Sequence, residues 1–185
     1  MHIKYYILII GILLISCKAK NTTTHKTDKI TNIQNQEYLI GNINIKDLKQ
    51  NPHISWYNTN YQRYILDTTA LEKIKNQDLL KDITITIFLG TWCRDTKHLL
   101  PRFYKIFDSI GYNTNKIRLI GVDKEKNSHD GLSENLNIDY VPTFIFYKDK
   151  KELNRIVEFT VESLELDMLK ILKSDGYKHF YKNTP

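Results

Sequence analysis

Two cysteines occur in the chain, Cys17 and Cys93, and only the second stands in a setting suited to catalysis. Cys93 lies in Gly90-Thr91-Trp92-Cys93-Arg94-Asp95-Thr96, where the apolar stretch Ile83 to Leu89 gives way to a segment of helical period. A thiol at a helix N-terminus faces backbone N–H groups without intrahelical partners and the positive end of the helix dipole. Both favour thiolate over thiol and lower the pKa below the free value of about 8.5. Arg94 adds to that effect and Asp95 subtracts from it. The chemistry within reach is attack by sulfur on a disulfide. Two cysteines are too few for a disulfide-stapled scaffold or a Cys-rich zinc site. His25, His53, His129 and His179 show no metal-ligand spacing, so no metal and no cofactor are expected. His98 is five residues beyond Cys93 in the helix and points away from it. Asp123 ends a strand and reads as a turn cap rather than an acid.

The elements that must hold Cys93 are legible as changes of period. Tyr61 to Asp67 reads as a short strand, and Thr69 to Glu72 as a Thr-x-x-Glu capping box opening a helix through about Asn76. Ile83 to Leu89 alternates Ile and Thr and becomes wholly apolar at Ile87-Phe88-Leu89, as a central strand buried on both faces should. The helix after Cys93 carries Leu99, Phe103, Ile106 and Ile110 on one stripe, with Pro101 inside it and Gly111 as its stop. Lys116 to Asp123 is a further strand. Thr143 to Tyr147 and Leu153 to Phe159 form two strands about a turn at Lys148 to Lys151, and Val161, Leu164, Met168 and Leu172 mark a closing helix. Alternation early and a hairpin late imply an α/β fold, a central mixed β-sheet flanked by helices on both faces. Trp56, Tyr57, Tyr61 and Tyr64 are expected to pack an N-terminal extension onto the sheet.

The chain resembles the thioredoxin superfamily from about Tyr61 to Lys173. The resemblance rests on Trp92-Cys93 after the central strand, on Lys97 and Pro101 four and eight residues beyond the Cys, on Val141-Pro142-Thr143, and on the strand Phe144-Ile145-Phe146-Tyr147 that follows. It implies a thioredoxin-like fold and a cis peptide before Pro142. That loop would set the Val141 backbone beside Cys93, where an extended substrate chain can pair, with Trp92 and Thr143 along the same dock. The departures matter as much. Thioredoxins carry Cys-x-x-Cys, and position 96 is Thr, leaving it as a hydrogen-bond donor to the Cys93 thiolate. The buried acid that thioredoxins place six residues before the first Cys is Ile87 here. A peroxiredoxin reading fails because the required proline and threonine positions hold Thr86 and Gly90.

The N-terminus adds a location. Lys4 precedes eleven apolar residues, Tyr5 to Ile15. A helix of that length rises only about 16 Å, too short to span a bilayer but typical of a signal-peptide core. Leu14-Ile15-Ser16-Cys17 resembles the bacterial lipoprotein signal, which implies removal of residues 1–16 and lipid on Cys17. The alternative is an ordinary secretory signal with an incidental Cys. Residues 17–36 hold no aromatic and no apolar period, so they read as a tether. The remainder divides into an extension at 37–58, the thioredoxin-like domain at 59–174 and a tail at 175–185. The whole chain has 185 residues with 27 basic and 21 acidic side chains, and the lysines are scattered, which argues solubility rather than nucleic-acid binding.

These observations combine into one expectation: an exported protein, lipid-anchored to a bacterial membrane on its periplasmic side or at the cell surface. It exchanges thiols and disulfides through Cys93 alone, with exported Cys-containing proteins or small thiols as partners. The competing class is a tethered, non-enzymatic binding module in which Cys93 is an inert buried thiol.

Overall fold

Residues 27–31, 37–129 and 131–183 are described in the computed structural model of the chain. The signal segment 1–16, Cys17 and most of the expected tether lie outside them. In chain order the elements are β1 (Thr27–Thr31), β2 (Glu37–Ile43), α1 (Ile45–Leu48), α2 (Ile54–Arg63), α3 (Thr68–Asn76), β3 (Ile83–Leu89) and α4 (Arg94–Ile110). A 3-10 turn at Thr114–Lys116 leads into β4 (Ile117–Gly121), followed by β5 (Thr143–Lys148), β6 (Lys151–Val157), α5 (Leu164–Lys173) and α6 (Phe180–Asn183). No helix among the described residues is long and apolar enough to cross a membrane.

The six strands form one sheet in the order β1-β2-β4-β3-β5-β6. β3 runs parallel to β4 and antiparallel to β5, and every other pairing is antiparallel. The mixed α/β sheet of a thioredoxin-like fold is therefore present, with β3 at its centre. Ile83, Ile85, Ile87 and Leu89 point to the larger core, which gathers side chains from all of α1 to α5. Phe88, Ile120, Val122 and Ile145 point to a smaller core on the other face. What covers that second face at the site end is not a helix but the irregular segment carrying Leu132, Leu136, Ile138 and Val141. Its sequence, rich in Asn, Asp and Ser, prefers turns to a continuous helix.

The region before β3 departs from expectation in three places. Tyr61 to Asp67 is not a strand: α2 runs to Arg63 and an extended link follows. Tyr57, Tyr61 and Tyr64 recur at three- and four-residue steps, which is a helical stripe. Tyr57 is buried and packs against Tyr104 of α4, so this aromatic group docks on a helix rather than on the sheet. The helix after it begins at Thr68 and is capped by Asp67, whose carboxylate accepts from the Ala70 N–H (3.0 Å), not by Thr69. Finally, Thr27–Thr31 within the expected tether and Glu37–Ile43 within the expected extension are strands of the sheet itself. An edge strand needs only backbone pairing with its neighbour, so β1 forms without an apolar period of its own.

The later elements follow the sequence closely. Gly111 ends α4 in the left-handed conformation (φ 68°), where its lack of a Cβ is required. Leu100, Tyr104 and Phe107 join Phe103 and Ile106 on the buried face of α4, while Leu99 is only partly covered. Ser163 caps α5 through Leu166 N–H. The residues beyond α5 are held down, since the buried Tyr177 donates its hydroxyl to Asp167 (2.9 Å) and its carbonyl accepts from Asn154 Nδ2 (2.7 Å). Asp167 also accepts from the Val161 and Glu162 N–H groups. Burial nevertheless dominates and raises its carboxyl above the ordinary value.

Two outcomes are expected. Phe103 is fully buried, with ring centroids 4.5 Å from Phe144 and 4.6 Å from Phe107. Phe103→Ala should cost about 3–5 kcal/mol in urea unfolding, against under about 0.5 kcal/mol for Ile65→Ala at an exposed position. For Asp167, a folded-state pKa above the unfolded one means that the native protein holds the proton more tightly. Its contribution to stability then falls as pH rises from the unfolded value to the raised folded one. Unfolding curves taken in pH steps across that window should show wild type losing stability relative to Asp167→Asn as pH increases. A difference independent of pH refutes the assignment.

Candidate active site

Cys93 is the residue at which β3 has ended and α4 begins. Its backbone is extended (φ −77°, ψ 134°), its carbonyl accepts from Lys97 N–H, and its own N–H donates to the Gly90 carbonyl (2.9 Å). The loop between strand and helix is tight because Gly90 has no side chain: a Cβ there would meet the Trp92 ring at 2.5 Å. The ring is fixed from the other side by its Nε1–H, which donates to the Val122 carbonyl (2.9 Å). Thr91, which the sequence did not single out, is buried, and its hydroxyl accepts from the Leu39 N–H of β2 (3.1 Å). The loop is thus tied to β2 by a residue 52 positions away in sequence.

The peptide between Val141 and Pro142 is cis, as the resemblance implied. Cys93 Sγ lies 3.2 Å from the Val141 carbonyl and donates to it. Thiol and docking loop are therefore in direct contact, and Cys93 keeps 9% of its surface open to solvent. Thr143 is buried and its hydroxyl donates to the Tyr140 carbonyl (2.6 Å), so it holds the loop's shape from within rather than facing a partner. The Pro142 carbonyl accepts from the Glu158 N–H (2.8 Å), which braces the loop against the end of β6.

Thr96 is fully buried in the first turn of α4. Its hydroxyl oxygen accepts from the Gly90 N–H (3.4 Å), a bond that ties the helix to the loop; the contact it makes is with this backbone, not with the thiol. Arg94 is exposed and Asp95 half-buried on the same turn. His98 is turned to solvent beside Arg102, where partial burial and that neighbouring charge hold its imidazole below the ordinary value. Asp123 accepts from the Asn127 N–H (2.8 Å), closing a turn. Ile87, at the place of the buried acid, is fully enclosed in the larger core. No cluster of His, Cys, Asp or Glu that could hold a metal ion occurs among the described residues. The arrangement brings together one thiol, one carbonyl-bearing loop able to pair with an extended chain, and an indole beside them.

Comparison with known proteins agrees with this geometry. The thioredoxin family model matches residues 65–170, more than half of the chain. A thioredoxin of Coprinus comatus is 30% identical over 83 residues, covering 45% of this chain and 74% of its own length. The TPR repeat-containing thioredoxin TDX of Arabidopsis thaliana is 28% identical over 102 residues, 55% of this chain but only 25% of that longer protein. Among solved structures, mitochondrial thioredoxin 3 from Saccharomyces cerevisiae aligns over 56% of this chain and 89% of its own, with 19% identity and a TM-score of 0.36. With the loop, the thiol and the central strand each in place and the family model covering them all, the chain belongs to the thioredoxin family.

Proposed function

We propose that this protein is an extracytoplasmic, membrane-anchored member of the family that carries out thiol–disulfide exchange through Cys93 alone. The observation that carries this reading is the contact between Cys93 Sγ and the Val141 carbonyl of the docking loop, with Thr96 where a second thiol would stand. An incoming disulfide laid along Val141 meets the sulfur directly. The Cys93 thiolate attacks one sulfur of RS–SR′, forming the Cys93–S–S–R mixed disulfide and expelling R′S⁻, which takes up a proton. Among the described residues no second thiol stands near Cys93 to resolve the adduct, so an outside thiolate R″S⁻ attacks the sulfur bonded to R, giving RS–SR″ and restoring the Cys93 thiolate. Atoms and electrons balance without a cofactor. Its partners are exported Cys-containing proteins or small thiols. The membrane anchor and the location rest on Leu14-Ile15-Ser16-Cys17, the lipidation-type signal, with acyl chains on Cys17 supplying the hold.

Anchoring is tested by detergent partitioning. The wild-type protein should enter the detergent phase and Cys17→Ala the aqueous phase, with the folded domain intact in both; a mature chain without lipid mass refutes the anchor. The exchange route is tested at position 96. Wild type should accumulate mixed disulfides with exported proteins that added small thiols release, and Cys93→Ser should capture none. Thr96→Cys places a second thiol at a buried first-turn position of similar volume. It should close a local disulfide, shorten the life of the adducts and raise insulin reduction with dithiothreitol. The gain stays partial because Ile87 offers no proton acceptor. A Thr96→Cys disulfide without exchange activity, together with a wild type that captures no partner, would instead leave a tethered binding module.

A further inference from the structure

The residues after α5 do not trail away from the active site but return to it. Tyr177 is anchored by the Asp167 and Asn154 bonds, and α6 then carries Phe180 and Tyr181 to the docking loop. The Tyr181 ring lies flat on that of Tyr140, with centroids 3.9 Å apart and planes 8° from parallel. Tyr140 immediately precedes Val141, whose carbonyl contacts Cys93. The Tyr181 hydroxyl donates to the Glu158 carboxylate, and the Glu158 N–H is the group that braces Pro142. Phe180 meets Phe159 edge-on (5.4 Å), on the chain just past Glu158. The tail therefore contacts Tyr140 on one side of the loop and, on the other, Glu158, whose N–H braces Pro142. The Tyr181 phenol is raised by burial and the Glu158 bond, and the charge of Asp95, two residues from Cys93, also reaches it. Tyr140, Phe159 and Phe180 each keep about two-fifths of their surface open, so the tip of the tail rests on the loop rather than being enclosed by it.

We infer that Tyr181 is a specificity determinant of the site: the C-terminal segment 177–183 is an aromatic wall, held by the Tyr140 stack, that admits small thiols to Cys93 and holds back bulky partners until the stack parts. The inference deepens the exchange reading and rests on it for the identity of the partners, but the wall itself is steric and can be measured without any redox step. A closing contact of this kind lowers the apparent rate for reagents that need the open form by the fraction of molecules open. Reagents small enough to pass are indifferent to it.

The test uses the full chain with Cys17→Ser in every variant, leaving Cys93 the only thiol, and compares alkylation by iodoacetamide with alkylation by a maleimide on a large poly(ethylene glycol) chain. Tyr181→Ala should raise the bulky-to-small rate ratio by about fivefold, on the scale of a lost aromatic pair. Tyr181→Phe keeps the ring and should stay within about twofold of the parent. A chain ended after Lys178 retains the Tyr177 anchor and should match Tyr181→Ala, which keeps the test decisive should that variant fold poorly. An unchanged ratio, or both reagents accelerating together, overturns the wall. Should the ratio change as expected while Cys93 forms no mixed disulfide with small or protein disulfides in any variant, the wall stands and the exchange reading fails.

Discussion

The site depends on the register between β3 and β5, in which Phe88 stands opposite Thr143. From that pair the chain runs five residues forward to Cys93 and two back to Val141, and the two ends meet at 3.2 Å. A slip of one residue would turn every side chain of β3 to the other face, burying Thr84 and Thr86 in the larger core and carrying the loop away from the thiol. The pattern forbids it: Ile83, Ile85, Ile87 and Leu89 fit only the helix-covered face, while Phe88 fits the smaller core with Ile145 and Val141. The hydrophobic pattern that folds the sheet thereby also sets the geometry of the thiol.

The same argument explains what the sequence revealed and what it concealed. β3, α4, β5 and α5 announce themselves through strong local periods, and they are the elements that place Cys93, Thr96 and Val141. The segment before β3 misled because Tyr61, Tyr64 and Ile65 have strand-like composition, which masked the helical spacing of Tyr57, Tyr61 and Tyr64 that contacts with Tyr104 and Asp108 bear out. β1 and β2 were concealed for a different reason: β1, at the sheet edge, is decided by its partner, and β2, between β1 and β4, gains its place from β4, nearly eighty residues away. The position of Thr96 near the thiol is readable in the sequence, but the bond that its oxygen accepts from the Gly90 N–H depends on how tightly Gly90 lets the chain turn.

The two departures from the thioredoxin pattern are physically coupled. A second thiol at position 96 works best where its proton can leave readily, and the buried acid that the resemblance implies at position 87 is the group that would take it. Here Ile87 and Thr96 are both fully enclosed. An acid introduced at position 87 alone would be a buried charge without a partner, and costly; the isoleucine packs instead with Phe144 and Leu119 on the neighbouring strands. The two absences are consistent with each other, since each concerns the handling of a second thiol.

The bracing of that sulfur extends beyond the span matched by the family model. Residues 65–170 contain Cys93, the docking loop and the central strands. Yet the Thr91 hydroxyl is engaged by Leu39 of β2, and Glu158 and Tyr140 by Tyr181 of α6, both outside that span. The loop that carries the thiol and the cis-proline loop are thus each held by a segment outside the span that the family model matches. The first contact is a buried bond from a backbone N–H to a hydroxyl, difficult to break without disturbing the sheet. The second is an exposed stack and a hydroxyl–carboxylate bond at the end of a four-residue helix, where opening is locally inexpensive. Of the two braces the second is the one that can yield while the fold stays intact, and the first, from β2, holds the Cys93 loop in place.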